Sequence, residues 1–285
     1  MIQEKNQSRL AQAFDSGKPA LLVEFVPAAS DAETLRDTIA ALPSGVDGVV
    51  VRSDSVSALA CSALLASQRI DPVLALSTGD QNRNALLAEA RGAALLGLRN
   101  ILCLANGKPS AGASAEAGAA FDVDPTQLLQ LITNGDGLLS TLVTGVEVYP
   151  LVRPLELSLI DTRKKAAAGA HFFVTQPIFD LNAFEEWLAA ARQEGLIERV
   201  PLIAGVRALK DAEEAAKQQR RGHISEEAIT RLKQASDPDA EGVALAGEIA
   251  SRVVKTGGVR GLFVRASGKP EDISEVVSRS GIKSA

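Results

Sequence analysis

The stretch Ala168-Gly-Ala-His-Phe-Phe-Val-Thr-Gln-Pro-Ile-Phe-Asp180 sets out one complete structural junction. Gly169 suits the end of a helix, where a left-handed backbone is common. Four apolar or aromatic positions then read as a buried strand, and Thr175 and Gln176 follow directly before Pro177. Proline has no N–H for a sheet ladder and keeps the preceding residue out of the helical region, so the strand is expected to stop there. An amide side chain is thereby held at the carboxyl end of a buried parallel strand, where α/β folds place their ligands. The plainer alternative is a polar strand end that bonds its own loop.

Working outward, seven more short Val-, Ile- and Leu-rich runs have the same character. With His171–Thr175 they are Ala20–Val26, Val46–Val51, Pro72–Ser77, Arg99–Leu104, Leu142–Tyr149, Pro201–Val206 and Val259–Val264. Nearly continuous apolar character marks strands covered on both faces, hence parallel ones. Amphipathic stretches lie between them at Asp31–Leu42, Ser55–Gln68, Asn82–Leu96, Pro154–Ala168 and Asn182–Gln193. Asp31 and Asp180 stand as helix caps, and Gly97, Gly169 and Gly195 as helix ends. Alternation repeated eight times over roughly 250 residues predicts a (β/α)8 TIM barrel in the α/β class. A doubly wound open sheet would show fewer strands and a phosphate-binding glycine loop after the first. The barrel is expected to form a single domain over residues 1–285. It has an N-terminal helix, and extra helices at about 212–255 opened by Ser225-Glu-Glu. Asn106–Asp122, rich in Gly, Ala and Ser, reads as a long loop on the active face.

Composition narrows the function. A chain of 285 residues with 46% hydrophobic and 23% charged residues is ordinary for a soluble globular protein. Its formal net charge of −5 gives nucleic acid no electrostatic footprint, so Lys217 to Arg221 reads as a solvated helix end. Cys61 and Cys103 are expected to be buried free thiols in a reducing compartment. With His171 and His223 as the only histidines and no Cys pair at ligand spacing, no metal site is expected. The polar N-terminus lacks the apolar segment of a signal peptide, and no apolar run reaches membrane-spanning length. The protein is therefore expected in the cytoplasm, without a membrane partner, and with a homo-oligomer or partner subunit left open.

Barrel chemistry stands at the carboxyl ends of the strands and in the loops that follow. Those positions hold Glu24, Asp54, Ser77 with Asp80, Asn82 and Arg83, Asn106, Tyr149, Gln176, Arg207 and Arg265. Glu24 is enclosed by Leu21-Leu-Val before it and Phe25-Val-Pro after it. A carboxyl group in so apolar a strand is a general acid or base candidate, or else a buried glutamate paired with a basic neighbour. Asp80-Gln-Asn-Arg83 opens a helix, with Asp80 or Asn82 as its cap; Arg83 and free N–H groups there could also hold an anionic or polar group. Tyr149, the only tyrosine, could cover a flat ligand, or simply be a half-buried ring. Lys164 and Lys165 read as a solvated helix face.

Taken together these residues resemble the methylenetetrahydrofolate reductase family, in its short bacterial, acetogen-like form. The resemblance runs from Val23-Glu-Phe-Val-Pro27 to Gly261-Leu-Phe-Val264. It is carried mainly by Asp80-Gln-Asn-Arg83, Leu95-Leu-Gly-Leu-Arg-Asn-Ile-Leu102, Phe121-Asp-Val-Asp124, Lys165-Ala-Ala-Ala-Gly-Ala170 and Thr175-Gln-Pro-Ile-Phe-Asp180. It implies hydride transfer from NAD(P)H through FMN to 5,10-methylenetetrahydrofolate, giving 5-methyltetrahydrofolate. Glu24 matches the family's catalytic glutamate and Gln176 the glutamine on the pterin. Asn106, Tyr149 and Arg265 are the other folate-side candidates. Ser77, Asn82, Arg83, Tyr149 and Lys165 fall on the flavin side, Lys165 near the phosphate. The chain departs from the family after strand four, where Gly107 replaces an aspartate that touches both flavin and folate, and where Ala105 replaces a basic residue. Val73 likewise replaces a histidine of some members. These departures set two alternatives beside the reductase: a flavin-independent tetrahydrofolate-dependent methyl-transfer or one-carbon enzyme, and a folate-binding subunit that needs a partner.

Overall fold

A computed structural model describes residues 8–27, 32–52, 56–79, 81–105, 122–219, 224–265 and 270–282. Eight parallel strands close in sequence order into a barrel: β1 (Ala20–Phe25), β2 (Gly48–Val51), β3 (Pro72–Ser77), β4 (Asn100–Leu104), β5 (Val143–Val148), β6 (Phe172–Pro177), β7 (Leu202–Arg207) and β8 (Val259–Arg265). β8 pairs back onto β1. The fold is thus the (β/α)8 barrel expected from the apolar runs. Its outer layer comprises α2 (Ala32–Ala40), α3 (Ala58–Ser67), α4 (Arg83–Leu95), α5 (Pro125–Thr133), α6 (Leu155–Ala167) and α7 (Leu181–Gln193), with α8 (Leu196–Arg199) as a short turn before β7. Between β7 and β8 run α9 (Ala212–Gln219), α10 (Glu226–Gln234) and α11 (Pro238–Lys255), and α12 (Pro270–Ser280) follows β8. Asp180 caps α7 by accepting from Ala183 N–H at 3.0 Å, and Ser225 caps α10.

Side chains alternate between two cores, as the two-residue period of a strand requires. Leu21, Val23, Val49, Leu74, Ile101 and Phe173 face the helices. Leu22, Val50, Val73, Ala75, Leu102, Phe172, Val174, Ile203 and Phe263 fill the barrel interior. Phe172 fits because its neighbour on β5 is Gly145, where an added Cβ would lie 2.3 Å from the ring. The amino end is closed by α1 (Arg9–Ser16), whose Leu10 and Ala13 join the interior cluster. Its Phe14 ring sits 5.9 Å from that of Phe172.

β6 departs from expectation at its end. The strand continues beyond the expected Thr175 and ends at Pro177, whose Cα pairs with Gly205 after a register shift beyond Val174. The ladder survives because a side chain stands in for the backbone. Gly205 N–H donates to Thr175 Oγ1 at 2.8 Å, and Ile178 N–H then donates to Gly205 O at 2.9 Å. The close approach needs glycine: a Cβ on Gly205 would sit 2.4 Å from Thr175 O. Proline breaks one donor position, and the bulge routes the pairing around it.

Candidate active site

Two residues beyond the last interior apolar side chain, toward the carboxyl end, the alternation turns polar. Leu22 is followed inward by Glu24, Val50 by Arg52, Ala75 by Ser77, Val174 by Gln176 and Phe263 by Arg265. Glu147 on β5 and Arg207 on β7 fall on the same inward phase. Six of these, Glu24, Arg52, Glu147, Gln176, Arg207 and Arg265, line a cavity of about 200 Å³, with Phe179 and Gln218 at its edge.

The charges in this layer are matched. Arg52 Nη1 lies 3.3 Å from Glu24 Oε1, with side-chain exposures of 31% and 5%, so a solvent-reaching guanidinium covers a buried carboxylate. Of the two alternatives open for Glu24, the structure therefore includes the pairing with a basic neighbour, and it places that pair in the cavity. Arg265 reaches across the barrel to Glu147, and the two side chains are 11% and 10% exposed. Burial works against the charge of Arg265, but Glu147 and Glu24 more than offset it and raise its pKa. Arg207 pairs with Glu214 of α9, which also accepts Lys210 N–H at 3.0 Å. Gln176 Nε2 and Arg265 Nε are among the buried donors of this layer that meet no acceptor among the described residues. Orphaned donors of this kind are rare in a folded interior and call for an explanation.

Behind Glu147 stands a second group. Tyr149 lies beside Glu147, and burial, with Glu147 and Asp161 adding to it, pushes its phenol well above the ordinary range. Lys165 Nζ lies 4.4 Å above the Tyr149 ring and pairs with Asp161. Lys165 is 2% exposed, which corrects the solvated reading: α6 buries Ser158, Leu159, Thr162 and Lys165 on one stripe. Burial lowers the Lys165 pKa, against the pull of Asp161 and Glu147.

The flavin-side candidates are not gathered in the same way. Asn82 Oδ1 caps α4 by accepting from Ala85 N–H at 3.0 Å. Arg83 forks onto Asp122, with Nε to Oδ2 and Nη2 to Oδ1 both at 3.1 Å, and its backbone N–H donates to Asp122 Oδ2 at 2.9 Å. Ser77 Oγ is buried without a partner among the described residues. Asn106, like Asp54, Asp80 and Gly107, lies outside the described residues. Both cations that would meet an FMN phosphate are thus engaged by carboxylates, and Lys165 covers a face of the only tyrosine. As they stand, the described flavin-side residues offer an FMN phosphate no unengaged cation. Arg52 and Glu147 escaped the sequence reading, although Glu147 carries the same signal as Glu24, a charge inside an apolar strand.

A closed barrel with a charged, donor-bearing layer at the carboxyl ends of its strands has the form of a (β/α)8 enzyme. Residues 10–281 match methylenetetrahydrofolate reductase, and the chain belongs to that family. No curated protein matches the sequence. Among solved structures, a protein from Clostridium thermocellum that binds two copies of 5-methyl-5,6,7,8-tetrahydrofolic acid is similar. It has a TM-score of 0.71 and 14% identity, over 96% of this chain and 98% of that one. A tryptophan synthase from M. tuberculosis shows a TM-score of 0.48 and 18% identity, over 89% of this chain and 100% of that one. At these identities the likeness is one of fold. No described helix is long and apolar enough to cross a membrane, and no described cluster of His, Cys, Asp and Glu could hold a metal ion.

Proposed function

We propose that the carboxyl-end cavity binds a reduced folate and that the protein carries out one-carbon chemistry at the folate nitrogen N5. One observation carries the reading: an unsatisfied amide donor, Gln176 Nε2, stands beside buried carboxylates in the cavity of a family member. Gln176 anchors the pterin, Arg265 offers a second donor to it, and Glu24 moves the proton at N5. The C. thermocellum protein of the same fold, which binds 5-methyltetrahydrofolic acid, is consistent with this ligand class.

The reaction named by the family reduces 5,10-methylenetetrahydrofolate. There the five-membered ring opens with a proton from the enzyme, a role that suits Glu24. The hydride would come from NAD(P)H by way of FMN. The engagement of Arg83 and Lys165 by carboxylates favours a second reading, in which the folate chemistry runs without flavin as methyl transfer or another one-carbon step. The visible spectrum of the purified protein, with and without added FMN, separates the two. A flavin band that persists after gel filtration establishes the reductase reading, and its absence after reconstitution removes it.

Titration calorimetry with 5-methyltetrahydrofolate tests the folate site itself. Gln176→Ala is expected to lose about 1–3 kcal/mol of affinity, because the ligand's acceptor is left unpaired. Glu24→Gln should still bind, while any turnover falls about 10²- to 10⁴-fold, the usual worth of a positioned acid or base. A wild-type protein that binds no reduced folate would overturn the proposal.

A further inference from the structure

Glu147 has no part in the chemistry above, yet its placement is specific. Its Cα is the register partner of Val174 on the neighbouring strand, and Gln176 stands one inward step above Val174. Glu147 and Gln176 therefore project into the same cavity from adjacent strands, carboxylate and amide together. The carboxylate is held by the Arg265 guanidinium, with Tyr149 beside it. The amide nitrogen beside it meets no acceptor among the described residues.

A 2-amino-4-oxo pyrimidine edge is complementary to this pair. Its ring N3–H and 2-amino group are donors that a carboxylate accepts side by side, and its 4-oxo group is an acceptor for the Gln176 amide. We propose that Glu147 is a specificity-determining residue, the acceptor for the 2-amino and N3–H groups of the pterin. This rests on the reduced-folate reading of the cavity. It also supplies a carboxylate from β5 in a chain that has Gly107 after β4. A site that accepts a donor pair in this way discriminates strongly against a ligand lacking one of them.

Calorimetry with two probes tests the assignment: 5-methyltetrahydrofolate and its 2-desamino-2-methyl counterpart, which lacks the amino donor. Wild type is expected to prefer the amino form by about 10- to 100-fold, the range for a hydrogen bond to a charged group. Glu147→Gln should bring that preference to within about threefold. Gln176→Ala should weaken both probes alike and keep the preference, since both carry the 4-oxo group. Removing one partner of a buried ion pair can unfold a protein. Glu147→Asp, which keeps the charge and draws it back from the cavity, therefore runs in parallel, with circular dichroism to establish folding. It should lose most of the preference. Retention of the wild-type preference in either folded variant overturns the role of Glu147, as does a wild type that binds both probes equally. A wild type that binds neither overturns the folate site itself.

Discussion

At the amino end of the barrel, Leu22, Val50, Val73 and Phe172 meet Leu10, Ala13 and Phe14 of α1 in one dry cluster. Some polar groups around that plug are joined to one another: Arg9 N–H donates to Asp71 at 2.6 Å, and Arg260 to the Phe14 carbonyl at 2.9 Å. Two residues further along the same strands, at the carboxyl end, Glu24, Arg52 and Gln176 take the same inward phase. There the charges are paired but buried donors, Gln176 Nε2 and Arg265 Nε among them, are left without acceptors. One alternation thus builds an end closed by apolar packing and an end whose inward layer is charged and lines a cavity. A protein that needed its carboxyl end only for stability would have continued the apolar layer, since buried ion pairs contribute little beyond apolar packing. On the proposed reading, the difference marks where folding stops being the requirement and ligand binding begins.

The largest effect expected from breaking this contrast lies at the plug. Leu10 is fully buried, so Leu10→Ala should cost about 2–5 kcal/mol in urea unfolding and leave the folate affinity of the folded protein near wild type. A matching loss of affinity would show that the two ends are coupled. A smaller effect of opposite sign is expected at the other end. Gln176→Leu removes a buried donor that has no acceptor, so it should raise stability by about 1 kcal/mol while folate binding is lost. A destabilised Gln176→Leu would mean that the amide serves the fold, and would remove the main support for a pterin anchor.

How much of this was legible depended on local signal. The eight strands showed themselves as apolar runs, and Glu24 and Gln176 as polar residues set within or at the close of them. Glu147 had the same signature inside Leu142–Tyr149, but the tyrosine at the strand end drew the reading past it. Arg52, just beyond Val51, is distinguished only by the inward phase, which requires the barrel. Lys165 was misread because its buried stripe is Ser158, Leu159, Thr162 and Lys165, so helical period was present without hydrophobic contrast. The grip of Asp122 on Arg83 joins residues 39 apart and leaves no trace in either neighbourhood. Pro177 was expected to end β6; the hydroxyl of Thr175 that carries the ladder past it is a tertiary accommodation to Gly205.

The finest test of the contrast is a pH dependence confined to the plug. Asp71 accepts from Arg9 N–H, and Asn100 Nδ2 lies 3.4 Å from its other oxygen. Burial raises its pKa above the ordinary aspartate value, the Arg9 contacts work against that shift, and neighbouring Asp47 adds to it. A carboxyl group raised in the folded state binds its proton more tightly there than in the unfolded chain. Its contribution to stability is therefore fully present below the unfolded value and is lost as pH rises through the raised folded value. Asp71→Asn keeps the acceptor for Arg9 N–H and removes the titration. Measured by urea midpoints from about pH 4 to about pH 7, the variant should gain on wild type across that window. Asp47 titrates in both proteins, so only its coupling to Asp71 enters the difference. A difference that stays flat would show that burial does not raise Asp71, and one that turns in favour of wild type at the higher pH would show that the charge on Asp71 holds the plug. The amino end would then depend on a matched ion pair, as the carboxyl end does.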